Sequence, residues 1–442
     1  MRAQHGDHGG DAEPERPPPA RESLGLLADR SFGPFFFGNL IANCGTWFLV
    51  LAAGLFVYRL TGSAFLLGVV GFAQFAGVLL LAPWTGTAAD RFDRRRLLLV
   101  AQGAATALAS VLAALVMLDH ATTATVIVFV LLIGLAQAFT VPALQAILPD
   151  LVAPERLGGA IALLAVTFNL ARGAGPAAAA LVIATAGIEW AFVVTALAYL
   201  ALVAGVLAIH PRTQPKRPRR PRFRESIAVV RDRPRLAALM LVSSALSIGI
   251  DPVNTLSPAF AAAVWDRSDV LAGVLLGAFS VGALTAAFTV AGRPGQPRRQ
   301  LVGRISLLVG GMVAFALAPT LELGVCALVV AGFGFLAAST ATIKELQLSI
   351  DTDHRGRIMA LWAVAFLGVR PLSSLADGAL ASASSPRLSA LVMILPALAV
   401  VGVLVVRGRS EPGRELAPVE AGLAGAGPTA RESGPTGDPT NR

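Results

Sequence analysis

Four charged residues stand inside stretches that otherwise carry almost no charge: Arg172, Asp251, Arg370 and Asp377. In a lipid-like medium such groups are costly and mark function or pairing. A carboxyl removed from water can load and release a proton near neutral pH, which makes Asp251 and Asp377 candidates for proton transfer. Asp251 is the first choice, because Pro252 follows it, frees a backbone carbonyl and kinks the helix there. The competing reading is a static ion pair between Asp251 and Arg370. Asp377 lies two helical turns beyond Arg370 on the same face and near one helix end, where its carboxylate is expected to reach water. Arg172 and Arg370 either bind an anionic group of a small molecule or neutralise a carboxylate.

A second cluster is denser. Gly86 to Leu98 reads GTAADRFDRRRLL, with six charges in the seven positions from Asp90 to Arg96. Arg91, Arg94 and Arg95 can pair with Asp150 or Glu155 further along the chain. The amides Asn39, Asn43, Gln74, Gln137 and Gln145 interrupt apolar runs. They suit ligand contacts, and bonds between helices explain them equally well.

The elements that position these residues follow from composition. The chain has 442 residues, 55% hydrophobic and 14% charged, with a mean hydropathy of +0.69. Soluble domains carry about 25% charged residues. Apolar stretches of about 20 residues, enough to cross a bilayer, fall at 34–58, 65–89, 97–118, 123–148, 159–185, 188–209, 236–263, 270–291, 302–321, 323–348, 358–381 and 388–406. The chain is therefore expected to be an all-α membrane protein with twelve transmembrane helices. Residues 1–30 and 409–442 read as disordered tails. Between them lie a first six-helix bundle over 31–210, a basic linker over 211–235 and a second bundle over 236–408.

Placing both termini in the cytoplasm puts 21 basic residues on the inner side and three, Arg59, Arg267 and Arg387, on the outer side. This bias sets the expected orientation and a plasma-membrane location. The Pro-rich cationic linker 211–235 then lies against anionic inner-leaflet lipids. That placement accounts for the net charge of +9 without nucleic acid. The chain lacks HExxH, GxSxG and P-loop patterns and any metal-ligand spacing, so neither an enzyme, a metal site nor a cofactor is expected.

The halves repeat at an offset of 198 residues. Gly158 matches Gly356, Phe168 matches Phe366 and Arg172 matches Arg370; Gly134 matches Gly332. The Phe-x-x-x-Arg match is informative, because arginine is rare in mid-helix. Helix five pairs with helix eleven, so the repeat is parallel. Transporters built this way hold substrate between their halves near the midplane.

Gly86-x-x-x-Asp90-Arg91-x-x-Arg94-Arg95, twelve spans and a basic central loop together resemble the major facilitator superfamily. Asp93 stands where many members have glycine. Tyr58-Arg59-Leu60-Thr61-Gly62-Ser63, Ala89 to Arg96, Phe168-Asn169-Leu170-Ala171-Arg172 with Gly175-Pro176, and Arg355-Gly356-Arg357 are similar to the drug:proton antiporter group that includes enterobactin exporters and macrolide efflux proteins. Gly173-Ala174-Gly175-Pro176 resembles the antiporter motif of exporters. The acidic residue that often precedes the helix-one tryptophan is absent, since Gly45-Thr46-Trp47 stands there.

The resemblance implies a conformational latch at Gly86, Asp90, Arg91, Arg94, Arg95 and Asp150. Asp90 would meet the start of helix eleven near Arg357 and Ile358 when the cytoplasmic side is closed. It also implies a cavity lined by helices one, four, seven and ten, with Asn39, Asn43, Gln137 and Gln145 as candidates. The expected activity is secondary active efflux of a small amphipathic molecule (a drug, natural product or siderophore) by alternating access, with the proton as coupling ion and the chain acting as a monomer. An uptake permease of the same fold and a transport-inactive receptor are the alternatives.

Overall fold

The computed structural model describes residues 25–209, 231–290, 298–350 and 352–410. Twelve helices among them are long and apolar enough to span a membrane: α1 (Phe32–Thr61), α2 (Ala64–Arg91), α3 (Arg94–Met117), α4 (Thr123–Leu151), α5 (Leu157–Ala186), α6 (Ile188–Leu207), α7 (Pro234–Thr255), α8 (Asp269–Val290), α9 (Arg298–Leu317), α10 (Leu321–Leu348), α11 (Leu361–Ala383) and α12 (Pro386–Val406).

Short polar side chains set several helix starts. Ser63, Asp93, Thr122, Thr320 and Ser385 each accept a hydrogen bond from the backbone N–H three residues on, satisfying donors that the first turn leaves open. Thr320 thereby fixes the split between α9 and α10, where the sequence offers almost no loop. Asp93 has the same role for α3, which accounts for an aspartate at this position. Gly62 ends α1 in the left-handed region at φ 62°, with its N–H bonded to the Tyr58 carbonyl; glycine adopts this without strain.

The two halves repeat the same packing. In the first, α2 packs on α4, α3 on α4 and α6, and α1 on α5 and α6. In the second, α8 packs on α10, α9 on α10 and α12, and α7 on α11 and α12. The repeat-matched glycines sit at equivalent crossings. A Cβ on Gly134 would stand 2.8 Å from the Ala73 carbonyl oxygen of α2, and one on Gly332 would stand 3.1 Å from Phe279 Cα of α8. Small residues let helix backbones approach closely where the hydrophobic effect gives little drive. The halves meet through α2 against α11 and α5 against α8.

Two spans are broken where a charged residue precedes proline. In α7 the helix stops at Gly249 and resumes at Asp251-Pro252. In α11 it stops at Leu367 and resumes at Arg370-Pro371. Proline has no N–H to donate and its ring clashes with the carbonyl four residues back. Beyond Ser257–Ala259, α7 continues into a π-turn at Phe260–Val264.

The expected tails need adjustment. Leu26–Ala28 form a 3₁₀ turn, Leu26 is buried in the core, and Asp29 Oδ1 accepts from the N–H groups of Ser31 and Phe32. The structured part therefore includes residues before position 31, because Asp29 caps α1. Most of the linker, residues 210–230, and the tail beyond 410 lie outside the described residues.

Candidate functional site

The break in α11 leaves the Ala365 and Phe366 carbonyls without helical donors. Two serines of α7 take them up: Ser244 Oγ donates to the Ala365 carbonyl at 2.7 Å and Ser247 Oγ to the Phe366 carbonyl at 2.7 Å. Trp362 Nε1 donates to Ser243 Oγ at 3.0 Å. Irregular backbone at membrane depth is tolerated when neighbouring helices satisfy it in this way.

Past the break the polarity reverses, with α11 donating to α7. Asp251 is fully buried, and its Oδ2 accepts from Ser373 Oγ at 2.7 Å and Ser374 Oγ at 2.9 Å. Its Oδ1 lies 3.6 Å from Arg370 Nε. The Arg370 guanidinium stacks on Phe75 of α2, 4.2 Å from the ring centroid. A charge-assisted network of α7 and α11 thus touches the opposite half. Between them is a cavity of about 30 Å³ lined by Trp47, Gln74, Phe75, Asn254, Arg370 and Ser374 among others, enough for one or two waters.

Arg172, the repeat partner of Arg370, mirrors the cross-half contact. Its guanidinium lies 5.5 Å from the Phe279 ring centroid of α8 and 4.7 Å from that of Phe335 of α10. Its backbone carbonyl accepts from Ser280 Oγ at 2.8 Å. The rings continue across the second half: Phe335 lies beside Phe366 at 6.3 Å, and Phe366 stacks on Trp362 at 5.2 Å with planes 9° apart.

The Arg59 end of the molecule is sealed between halves. Arg59 Nε and Nη2 donate to the two carboxylate oxygens of Asp269 at 2.7 and 3.0 Å. A Cβ on Gly378 of α11 would stand 2.8 Å from Gly68 Cα of α2. At the opposite end two ion pairs among the described residues each lie within one half. Arg94 Nη1 pairs with Asp150 Oδ2 at 2.8 Å, and Arg235 pairs with Glu345 at 3.0 Å.

Several expectations are corrected. Asp377 does not reach water: it is fully buried, and its Oδ1 accepts from Ser389 Oγ at 2.5 Å. The fold of α12 over α11 covers it. Arg370, on the same helix, pairs with Asp251 as one of the two readings of Asp251 expected. Arg95 donates to the Val206 and Leu207 carbonyls at the end of α6 rather than to an acid, a favourable site for a cation. Arg91 is exposed. The surroundings of Gly86 and the side chains of Asp90, Arg355 and Arg357 lie outside what is described; Ile358 packs with Leu236, Leu346 and Ile350 inside the second half.

The four amides expected to line one cavity differ in their surroundings. Buried Asn39 donates to Thr167 Oγ1 at 2.9 Å and ties α1 to α5. Asn43 donates to the Asn39 carbonyl of its own helix. Gln137 is partly buried with an unpartnered Oε1, and Gln145 is exposed. The residues that surround the charges instead, Phe75, Phe279, Phe335, Trp362, Ser373 and Ser374, carry one readable signal. Serines 243, 244, 247, 373 and 374 interrupt spans that have little else polar. Nothing in the sequence separates these phenylalanines from the others among 22.

The sequence profile described as Transmembrane secretion effector matches residues 22–420. The chain is 26% identical over 396 residues to the enterobactin exporter EntS of Citrobacter koseri, covering 87% of this chain and 93% of that one. It is 29% identical over 180 residues to a staphyloferrin A transporter of Staphylococcus aureus, covering 40% of this chain and 45% of that one. Among solved structures, the nucleoside transporter NupG aligns with a TM-score of 0.69 at 13% identity, over 85% of this chain and 99% of that chain. A bacterial homologue of the human lysosomal transporter Spinster, inward-facing and occupied, aligns with a TM-score of 0.68 at 13% identity, over 88% and 97%. Both share the fold. With a profile match along most of its length, the protein belongs to the transmembrane secretion effector family and is a membrane transporter of the major facilitator fold.

Proposed function

We propose that this chain exports a small amphipathic molecule by alternating access, driven by protons that enter through Asp251. The Arg94 end faces the cytoplasm in this reading, as the 21 to 3 distribution of basic residues favours. The outer end is then the one bridged between halves by Arg59 with Asp269 and by the Gly68–Gly378 crossing.

The observation that carries coupling is the Asp251–Arg370 pair at the two helix breaks, with Arg370 resting on Phe75 of the other half. Protonating Asp251 removes its negative charge. Arg370 loses its counterion, and the two serine hydroxyls lose a charged acceptor. In the outward-open state Asp251 takes up a proton from outside, and the neutral carboxyl lets the α7–α11 unit close on α2. Release of that proton to the cytoplasm restores the pair with Arg370 in the arrangement bridged at the outer end. Truncating one member of a buried pair costs about 3–5 kcal/mol, enough to bias such an equilibrium strongly. Relatives named as siderophore exporters support the outward direction.

The test uses everted membrane vesicles containing the full chain, acidified inside. Accumulation of a lipophilic fluorescent probe above empty-vector vesicles supports export. Loss of probe from preloaded everted vesicles under the same gradient supports uptake instead, and no flux in either direction supports a receptor.

A further inference from the structure

We infer that Arg172 is an anion-binding group of the transport site, and that the substrate carries a fixed negative charge beside a flat aromatic or apolar body. The inference rests on the transport reading above and adds the charge class of the cargo.

The two repeat-related arginines are treated differently by the fold. Arg370 has a carboxylate at 3.6 Å and two serines that complete that carboxylate's shell. Arg172, at the matched position of α5, has no ion-pair or hydrogen-bond partner for its guanidinium among the described residues; its neighbours are the rings of Phe279 and Phe335. At the 198-residue offset the counterpart of Asp251 is Ala53, which is buried. The first half therefore keeps the cation and lacks the acid. A permanent positive charge inside a span calls for a partner, and such residues face a path or a cavity.

The surroundings describe that partner. Arg172 is only partly buried, beside a small cavity with Gly173, Ser280 and Leu284. A guanidinium presents planar donors suited to carboxylate, sulfonate or phenolate oxygens. Held against two buried rings, it offers its edge to an anion. Phe366 and Trp362, which continue the ring series towards the α7–α11 network and are only partly buried, offer apolar surface to an aromatic body. Arg172 lies at the α5–α8 contact between halves, so an anion there is within reach of both.

The experiment compares 1-naphthalenesulfonate with its neutral isostere 1-naphthalenesulfonamide. Binding to the full-length protein in lipid nanodiscs is read by calorimetry. The sulfonate is expected to bind about tenfold more tightly than the sulfonamide, a charge-assisted difference. Arg172→Gln should abolish that preference, Arg172→Lys should keep part of it, and Phe335→Leu should weaken both probes while preserving their order. Equal affinities in the wild type, absence of sulfonate binding, or a preference that survives Arg172→Gln would overturn the inference. Vesicle uptake of both probes separates the two readings. Uptake of the sulfonamide without anion preference leaves export standing and removes the role of Arg172. Binding preference dependent on Arg172 without uptake of either probe keeps the anion site and removes export.

Discussion

The Asp251 carboxylate of α7 and the Arg370 guanidinium of α11 meet at 3.6 Å, each in the first turn that follows a helix break and each followed by proline. The same guanidinium lies on Phe75 of α2. One ion pair therefore joins two interrupted spans of the second half and rests on the first. Any change in the charge of Asp251 is felt at the contact between halves.

The seal at the Arg59 end depends on close backbone approach of α2 and α11. A side chain at position 378 would meet the Ala64 carbonyl oxygen and Gly68 Cα, both at 2.8 Å. Gly378→Val should insert normally, abolish transport and open this end. Spin labels at Thr61 and Ser268 should report a longer distance than in the parent, with native Cys44 and Cys326 replaced in both. An unchanged distance with full transport would show that the crossing is dispensable.

The Arg59–Asp269 pair adds a weaker tie at the same end. Exposed pairs contribute about 0.2–1 kcal/mol. Arg59→Ala should shift the balance between states by no more than about fivefold, and Asp269→Ala in the same background should add nothing further. A double-mutant cycle on the same spin-label distances checks this.

Asp93 and Asp90 should behave differently, although they are three residues apart. Asp93 accepts from Arg96 N–H at 2.8 Å as the cap of α3. Asp93→Ala should cost about 1 kcal/mol of stability, seen as a lower Tm in detergent, with transport retained. In the latch reading Asp90→Ala should lower transport with insertion and Tm unchanged.

Asn39 is a structural amide in this arrangement. Asn39→Ala removes the bond that Thr167 Oγ1 accepts, while Thr167 keeps its own bond to the Leu164 carbonyl, and should cost about 0.6 kcal/mol, the mean for hydrogen bonds between membrane helices. Substrate preference should not change. A changed preference order among vesicle probes would return Asn39 to the cavity.

Hydropathy made the spans legible, because a helix in lipid must hide its backbone and present apolar side chains on every side. The stretch read as 159–185 is a helix at Leu157–Ala186, and 388–406 lies within Pro386–Val406. The offset of 198 residues located Arg172 and Arg370 as equivalents, and Pro252 marked the break in α7. The break in α11 carries the same signal in Arg370-Pro371. Asp377 was misread because nearness to a helix end says nothing about what folds over it. The latch could be read only in part. Arg94 with Asp150 followed from opposite charges on adjacent loops, whereas Arg95 found carbonyls at the end of α6, which no charge pattern announces.

The central claim is that Asp251 carries the coupling proton. The most direct measurement compares wild type and Asp251→Asn in proteoliposomes, following 1-naphthalenesulfonate both under an imposed pH gradient and in gradient-free counterflow. The account predicts that Asp251→Asn abolishes gradient-driven accumulation and retains counterflow within a few-fold of wild type. Gradient-driven accumulation at the wild-type level in Asp251→Asn would contradict it, as would loss of both activities in a variant that remains folded and inserted.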